Sequence, residues 1–389
     1  MATPKSYPFA EKMLQQRREH NRFRKLTALV PLGGAHIGID GKTLINFCSN
    51  DYLGLASHPL VKERSNEFTE AYGAGATASR LVSGSFTIHE QLEHKLASAF
   101  ERESVLLLNS GFQGNLGILS SVADRNSLIL IDRLCHNSLI LGSRLSQATV
   151  QRFRHNDDDH LGELLASTRH KNFNRIWIVT ETVFSMDGDR NHLDRILSLA
   201  EDYDAYVYSD DAHAIGLLGN DGLGLNHGHD AIDLALGTFG KSFGAFGAFV
   251  GCSSELKEFF INTCPAVIYS TALPPSVIGA IDAALDLIPS LNEERQRILG
   301  FTQEFKVAMT ELGYQMAPSD SQIIPVLIGS DEDVLRLSAF LEDQGIWASA
   351  IRPPTVPEGT SRIRLTFTAH HTASHIDQLL TAFKTWKNR

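Results

Sequence analysis

Lys241 stands in the run GTFGKSFGAFG, with the apolar segments AIDLAL before it and AFVGC after it. Three chemistries are open to a lysine so placed: a surface cation after a turn, the lysine of a phosphate-binding loop, or an amine that forms an imine with a carbonyl. The apolar flanks speak against the first. Gly240-Lys241-Ser242 matches the end of the pattern G-x-x-x-x-G-K-[ST], but that pattern needs glycine at position 235, where this chain has Ala235. A lysine desolvated in a pocket loses its proton and attacks a carbonyl, and glycines beside it leave space for a flat ring. This third chemistry requires partners elsewhere in the chain.

Candidates for each partner are present. AYVYSD reads as a strand ending in Asp210, followed by Asp211-Ala212-His213. Ligands of α/β sheets sit at the carboxyl ends of strands, and a carboxylate there keeps a pyridine nitrogen protonated, which makes the ring an electron sink. His213 is spaced to meet the ring's phenolate oxygen. Taken alone, D-D-A-H is also compatible with turn chemistry or with a metal site, although no third metal ligand is evident. Ser110-Gly111-Phe112-Gln113-Gly114 lies between a strand and a helix, where backbone N–H groups bind anions. It is equally an ordinary helix entry. Thr238 adds a hydroxyl three residues before the lysine. His136, after the strand SLILID, is placed to stack on a ring or to be a satisfied structural histidine. Arg352 in AIRPPTVPEGTS precedes two prolines that stiffen the chain. Its fork suits a carboxylate, and a structural salt bridge is the alternative.

Other clusters carry less. HNDDDH (155–160) resembles a metal cluster but reads better as a helix N-cap at Asp158 or Asp159 ahead of LGELLAS. Gly73-x-Gly75 follows a helix rather than a strand, so it is not a dinucleotide fingerprint. His227, His229, His370 and His371 read as solvated. The four cysteines match no zinc or C-x-x-C spacing and read as reduced, mostly buried thiols.

The elements that must position these residues follow a regular order. A charged segment, EKMLQQRREHNRFRKL, predicts an exposed N-terminal helix, and Asp40-Gly41 predicts a hairpin turn between HIGID and TLINFCS. From residue 58 onward, helical segments alternate with short strands that are apolar throughout (SVLLLN, SLILID, RIWIVTE, LALGTF, AFVGC), as strands covered by helices on both faces require. This is the α/β signature. Near residue 290 the pattern changes. A long helical stretch leads to IIPVLIG, a helix, IWASAIR, RIRLTFT and a last helix, which predicts a smaller α+β domain of three strands. The expected division is an N-terminal arm over 1–50, a large domain over 51–290 and a small one over 291–389.

The chain has 389 residues, 43% of them apolar, and a net charge of −10. This balance argues against a nucleic-acid or membrane-surface binder. The N-terminal segment lacks the apolar core of a signal peptide, and no run reaches the length of a membrane span. The expectation is a soluble, cytoplasmic protein.

Taken together, the motifs GAGATASRLVSGS, LNSGFQGN, DRLCHNS, TETVFSMDGD, SDDAHAIG, GTFGK, YSTALPP and IRPPTVP, in this order, resemble the α-oxoamine synthases. The resemblance runs from NFCSNDYLGL to the last strand. It implies the fold-type I aminotransferase-like fold, with a mostly parallel seven-stranded sheet in the large domain and a small α+β C-terminal domain. It also implies pyridoxal 5'-phosphate as cofactor and no metal. In that family's pattern Lys241 carries the cofactor, Asp210 pairs with the ring nitrogen, His213 contacts the phenolate oxygen and His136 stacks on the ring. Lys241, Asp210, His213 and His136 are thus the implied catalytic set. Ser110, Gly111, Phe112 and Thr238 fall in the phosphate site and Ser185 beside the ring. Ser270 and Thr271 reach the phosphate of a neighbouring subunit, so the unit implied is a homodimer with shared active sites. Asn50 and Arg352 hold the substrate carboxylate, while Arg22 and Arg24 are candidates for a distal carboxylate but read better as part of a solvated helix face. The IRPPTVP run and FSMDGD resemble members that condense L-alanine with a pimeloyl thioester, carried on coenzyme A or acyl carrier protein. Sister enzymes use glycine or another amino acid with a different acyl thioester. Phe246, in AFGAF, departs from the smaller residues usual after the lysine and bears on the substrate pair.

Overall fold

A computed structural model describes residues 5–168 and 173–389. It divides into two compact units, one of residues 50–185 and 189–297, the other of 1–49, 186–188 and 298–389. The N-terminal segment thus belongs with the C-terminal residues.

The first unit is built on seven strands: β1 (Ser104–Leu108), β2 (Ser127–Asp132), β3 (Thr149–Phe153), β4 (Arg175–Glu181), β5 (Tyr206–Asp210), β6 (Leu234–Thr238) and β7 (Ala248–Cys252). Their order across the sheet is β1-β7-β6-β5-β4-β2-β3. Only β7 runs against the others, pairing antiparallel with both β1 and β6. The other six therefore deliver their carboxyl ends to one edge.

The sequence dictates this burial. In β2 every residue is buried. Ile129 and Ile131 enter one hydrophobic core with Ile118, Leu119 and Val122 of helix α1 (Gly111–Val122), while Leu128 and Leu130 enter a second core with Leu161, Leu165, Ile196 and Leu199. Successive side chains of a strand face opposite ways, so four consecutive buried apolar residues, Leu128 to Ile131, suit only a sheet covered twice.

Helix α2 (Asn137–Leu145) packs tightly on α1 through Gly142. A Cβ at Gly142 would lie 2.4 Å from the carbonyl oxygen of Asn115. The glycine sets the distance between two helices that both carry site residues.

The second unit holds two four-stranded sheets. One joins Val30–Gly33, His36–Ile39, Lys42–Asn46 and Ile346–Trp347. Its hairpin turns at Asp40 and Gly41, both at positive φ, as the Asp-Gly pair predicts. The other sheet orders Gln315–Met316, Ile323–Gly329, Ser361–Thr366 and Ser349–Ile351. IWASAIR, expected as one strand, is divided: its first two residues pair parallel with Lys42–Asn46 and Ser349–Ile351 pair antiparallel with Ser361–Thr366. Alternation cannot reveal that change of partner, nor a two-residue edge strand at 315.

His371, expected to be solvated, is 2% exposed and stacks on Phe47 with ring centroids 4.3 Å apart. Burial pushes its pKa down to about 3. The N-cap in HNDDDH is Asp157, not Asp158 or Asp159, its carboxylate accepting from His160 N–H at 2.8 Å. None of the described helices is long and apolar enough to cross a membrane.

Gly142→Ala is expected to destabilise the fold by about 1–3 kcal/mol, because the close approach to Asn115 is backbone and cannot rotate away. Urea unfolding checks this, and an unchanged or raised midpoint would contradict the tight α1–α2 contact.

Candidate active site

Strand ends of one unit bring Ser110, His136, Ser185, Asp210, His213, Thr238 and Lys241 to one edge of the sheet. β5 ends in Asp210, which is 6% exposed. One carboxylate oxygen accepts from Asn115 Nδ2 at 2.8 Å and the other from the Ala212 N–H at 2.9 Å. β4 ends in Glu181, paired in register with Asp210 and also buried. Burial, with the charge of Asp210 added, pushes Glu181 up to about 8. Its carboxyl group accepts the His136 backbone N–H.

His136 caps the start of α2. Burial lowers its pKa, Asp210 raises it and the charge of Lys241 lowers it further. Lys241 is therefore within electrostatic reach of both His136 and Glu181. It is half-buried in the turn between β6 and β7. That turn is stitched by Phe239 N–H to Gly247 O at 2.9 Å, Ala245 N–H to Phe239 O at 3.0 Å and Gly244 N–H to Lys241 O at 2.8 Å. Gly244 has φ +62°, and a Cβ there would strike Ala56 N at 2.0 Å, so only glycine fits.

His213 Nδ1 lies 2.7 Å from the Tyr52 hydroxyl, which donates to Asn50 Oδ1 at 3.2 Å. Ser110 is the N-cap of α1, its hydroxyl accepting from Gln113 N–H at 3.2 Å. Gly111 opens the helix, and a Cβ there would sit 3.8 Å from the Thr238 hydroxyl. Thr238 Oγ1 itself donates to Gly247 O at 3.0 Å and accepts from Gly240 N–H at 3.3 Å. Phe112 is exposed, with its ring edge-on to His136 at 6.5 Å. Ser185 is buried just past β4. Ser270 is half-buried, and Thr271, exposed, accepts Asn109 Nδ2 at its carbonyl at 2.7 Å. Phe246 is 55% exposed.

Arg352 and Arg22 belong to the other unit. Arg352 donates to the carbonyl of Asn21. Arg22 pairs with Asp331 at 2.9 Å and with Glu358, and Arg24 donates to Thr355 at 3.0 Å. Together they fasten the turn at 21–24 to the loop at 352–358.

Sequence reasoning passed over Tyr52, Asn115, Ser138, Glu181 and Tyr208. One signal was present for Glu181: RIWIVTE, like AYVYSD, is an apolar strand ending in a carboxylate. The others become visible only as hydrogen-bond partners across 20 or more residues. His155, within HNDDDH, is clasped by Asp132 at 2.9 Å and Asp189 at 2.8 Å.

The donor set suits pyridoxal phosphate. A helix N-terminus opened by glycine beside a threonine hydroxyl suits a phosphate, a buried carboxylate at the end of the central strand suits a ring nitrogen, and a lysine lies within electrostatic reach of the histidine beside it. A profile of the family "Aminotransferase class I and II" matches residues 42–383. Fold and match define a pyridoxal-phosphate enzyme of that class. Among curated proteins, one from Desulfosudis oleivorans, provisionally named 8-amino-7-oxononanoate synthase, is 49% identical, covering 97% of this chain and 98% of its own. The 8-amino-7-oxononanoate synthase of Gluconacetobacter diazotrophicus is 41% identical over 97% and 96%. The solved serine palmitoyltransferase of Sphingomonas wittichii superposes with TM-score 0.90 at 25% identity, covering 97% and 96%. The 8-amino-7-oxononanoate synthase of Francisella tularensis gives 0.77 at 25%, covering 89% and 98%. The chain belongs to the α-oxoamine synthases, pyridoxal-phosphate-dependent acyltransferases.

A pH prediction follows from the His155 clasp. Burial opposes its charge, but the hydrogen bonds to Asp132 and Asp189 outweigh burial and hold its pKa up at about 9. The unfolded value is about 6.5, so the stabilisation is complete below that pH and is lost as pH rises through 9. It amounts to roughly 3 kcal/mol at most. Urea midpoints of the wild type should fall across this window more steeply than those of His155→Gln, and parallel profiles would contradict the clasp.

Proposed function

We propose that this enzyme joins L-alanine to a pimeloyl thioester, on coenzyme A or acyl carrier protein. The products are 8-amino-7-oxononanoate, carbon dioxide and the free thiol, in biotin synthesis. The observation that carries the substrate assignment is 41–49% identity, over nearly the whole chain, to proteins bearing that enzyme's name. When bound, pyridoxal phosphate supplies an aldehyde that captures the amino acid's amine and a ring that takes up an electron pair from Cα.

The chain's own residues do the rest. Lys241 carries the cofactor and, once the amino acid has displaced it, its Nζ takes the proton from Cα. Asp210 keeps the ring nitrogen protonated, and its burial strengthens that interaction. His136 covers one face and excludes water there. Tyr52 holds His213, which meets the phenolate oxygen. The N–H groups at Gly111 and Phe112, with Ser110 and Thr238, take the phosphate, and Ser185 lies beside the ring. In the condensation a bond would form between the amino-acid Cα and the thioester carbonyl carbon as the C–S bond breaks, the sulfur leaving as thiolate and taking a proton from water. The resulting β-keto acid loses carbon dioxide, and Lys241 returns a proton to the same carbon. The amino-acid carboxylate falls to Arg352 and Asn50 on the strength of the sequence motifs. Arg22 would meet a distal carboxylate only by giving up Asp331 and Glu358. Ser270 and Thr271 serve the site of a second copy in a homodimer, and the enzyme works in the cytoplasm.

A second reading draws on the closer superposition with serine palmitoyltransferase and on Phe246: a different amino acid with another acyl thioester. Thiol release from pimeloyl-CoA separates the two. With the cofactor-loaded protein, L-alanine should drive release while glycine and L-serine give little. Release with serine or glycine, or with none of the three, would overturn the assignment. Lys241→Ala should lose turnover by orders of magnitude, and full activity there would contradict the lysine's role.

A further inference from the structure

Behind Asp210 and His136 runs a chain of buried polar groups that the reaction above does not use. Tyr208, on β5 and fully buried, donates its hydroxyl to Asn115 Oδ1 at 2.5 Å. Asn115, on α1 and 1% exposed, donates from Nδ2 to Asp210 at 2.8 Å and to Ser138 Oγ at 2.8 Å. Ser138 Oγ lies 2.7 Å from His136 Nδ1.

The protons along this chain have one consistent order. Exchanging the amide oxygen and nitrogen of Asn115 would set two acceptors 2.8 Å apart, its oxygen against the Asp210 carboxylate. The amide nitrogen therefore faces Asp210, and the oxygen is left for the Tyr208 hydroxyl. Both amide protons are then committed, one to Asp210 and one to Ser138. A serine hydroxyl has a single proton. Accepting from Asn115 leaves that proton available for His136 Nδ1, 2.7 Å away, and the neighbouring backbone N–H selects this direction over one in which Nδ1 donates to Ser138 Oγ. The backbone N–H of Ser138 also points at Nδ1, at 3.3 Å. A ring nitrogen that receives two donors carries no proton of its own.

We propose that Asn115 is a positioning residue that ties Asp210 to His136 and fixes His136 as the neutral ring with its proton on Nε2. The inference rests on the reading of Asp210 and His136 as cofactor-facing residues. Burial and the nearby Lys241 charge act in the same direction, against the imidazolium. A neutral ring of fixed tautomer covers a protonated pyridine without setting a second positive charge against it. The same amide holds the acid that keeps that pyridine protonated, so one side chain aligns both.

The test uses the holoenzyme labelled with ring-¹⁵N histidine, the His136 signal being assigned by its absence in His136→Gln. The wild type should show the Nε2–H tautomer, and an Nδ1–H signal would overturn the proposal. In Ser138→Ala the tautomer should become mixed while cofactor affinity changes little, because the Asn115–Asp210 contact remains. In Asn115→Ala both should move: a mixed tautomer, and a cofactor dissociation constant raised roughly tenfold or more by loss of a hydrogen bond to a charged group. A single unchanged tautomer in both variants would overturn the proposal, as would wild-type affinity in Asn115→Ala. Should Asn115→Ala fail to fold, the wild-type tautomer and Ser138→Ala decide. None of these readouts needs alanine or a thioester, so an error in the substrate assignment leaves them intact.

Discussion

Asp210 is a carboxylate with 6% exposure at the end of the central strand of a seven-stranded sheet. A buried charge has to be met by partners. Here it is met by an amide from α1 and a backbone N–H from the turn beyond β5; the proposed function adds the pyridine nitrogen of the cofactor. Much of the unit serves that arrangement. Two hydrophobic cores clamp the sheet so that its carboxyl edge is rigid, Gly142 lets α1 and α2 approach closely, and the stitched turn after β6 brings Lys241 to the same edge.

The single reversed strand matters for the same reason. Because β7 runs against its neighbours, the chain leaves β6 and returns at once through a short turn rather than a helix crossover. That turn is tight enough to need glycine at 244. A lysine on so constrained a segment loses little further freedom on carrying a cofactor, whereas one on a mobile loop would have to be ordered first.

The sheet and the strand-end residues were legible in the sequence because each rests on a local signal. Wholly apolar strands announce burial on both faces, and Asp210, His136 and Lys241 each follow such a strand. His371 misled because a histidine pair near the C-terminus looks polar, and nothing nearby in sequence says that Phe47 will stack on it. IWASAIR misled because a strand that changes partner keeps its alternation. Asn115 and Tyr208 escaped notice since a mid-helix amide and a strand tyrosine acquire meaning only from what they face across the fold. Arg22 is instructive in the other direction: its type suggested a ligand site, and its place supplied two carboxylate partners from its own unit.

The account turns on Lys241 as the point of attachment. Borohydride reduction of the cofactor-loaded protein, followed by digestion and mass mapping, tests it without reference to substrate. The account predicts a phosphopyridoxyl group on the peptide that contains Lys241, and on no other. A modification at a different lysine, or none in protein that carries the cofactor, would contradict it.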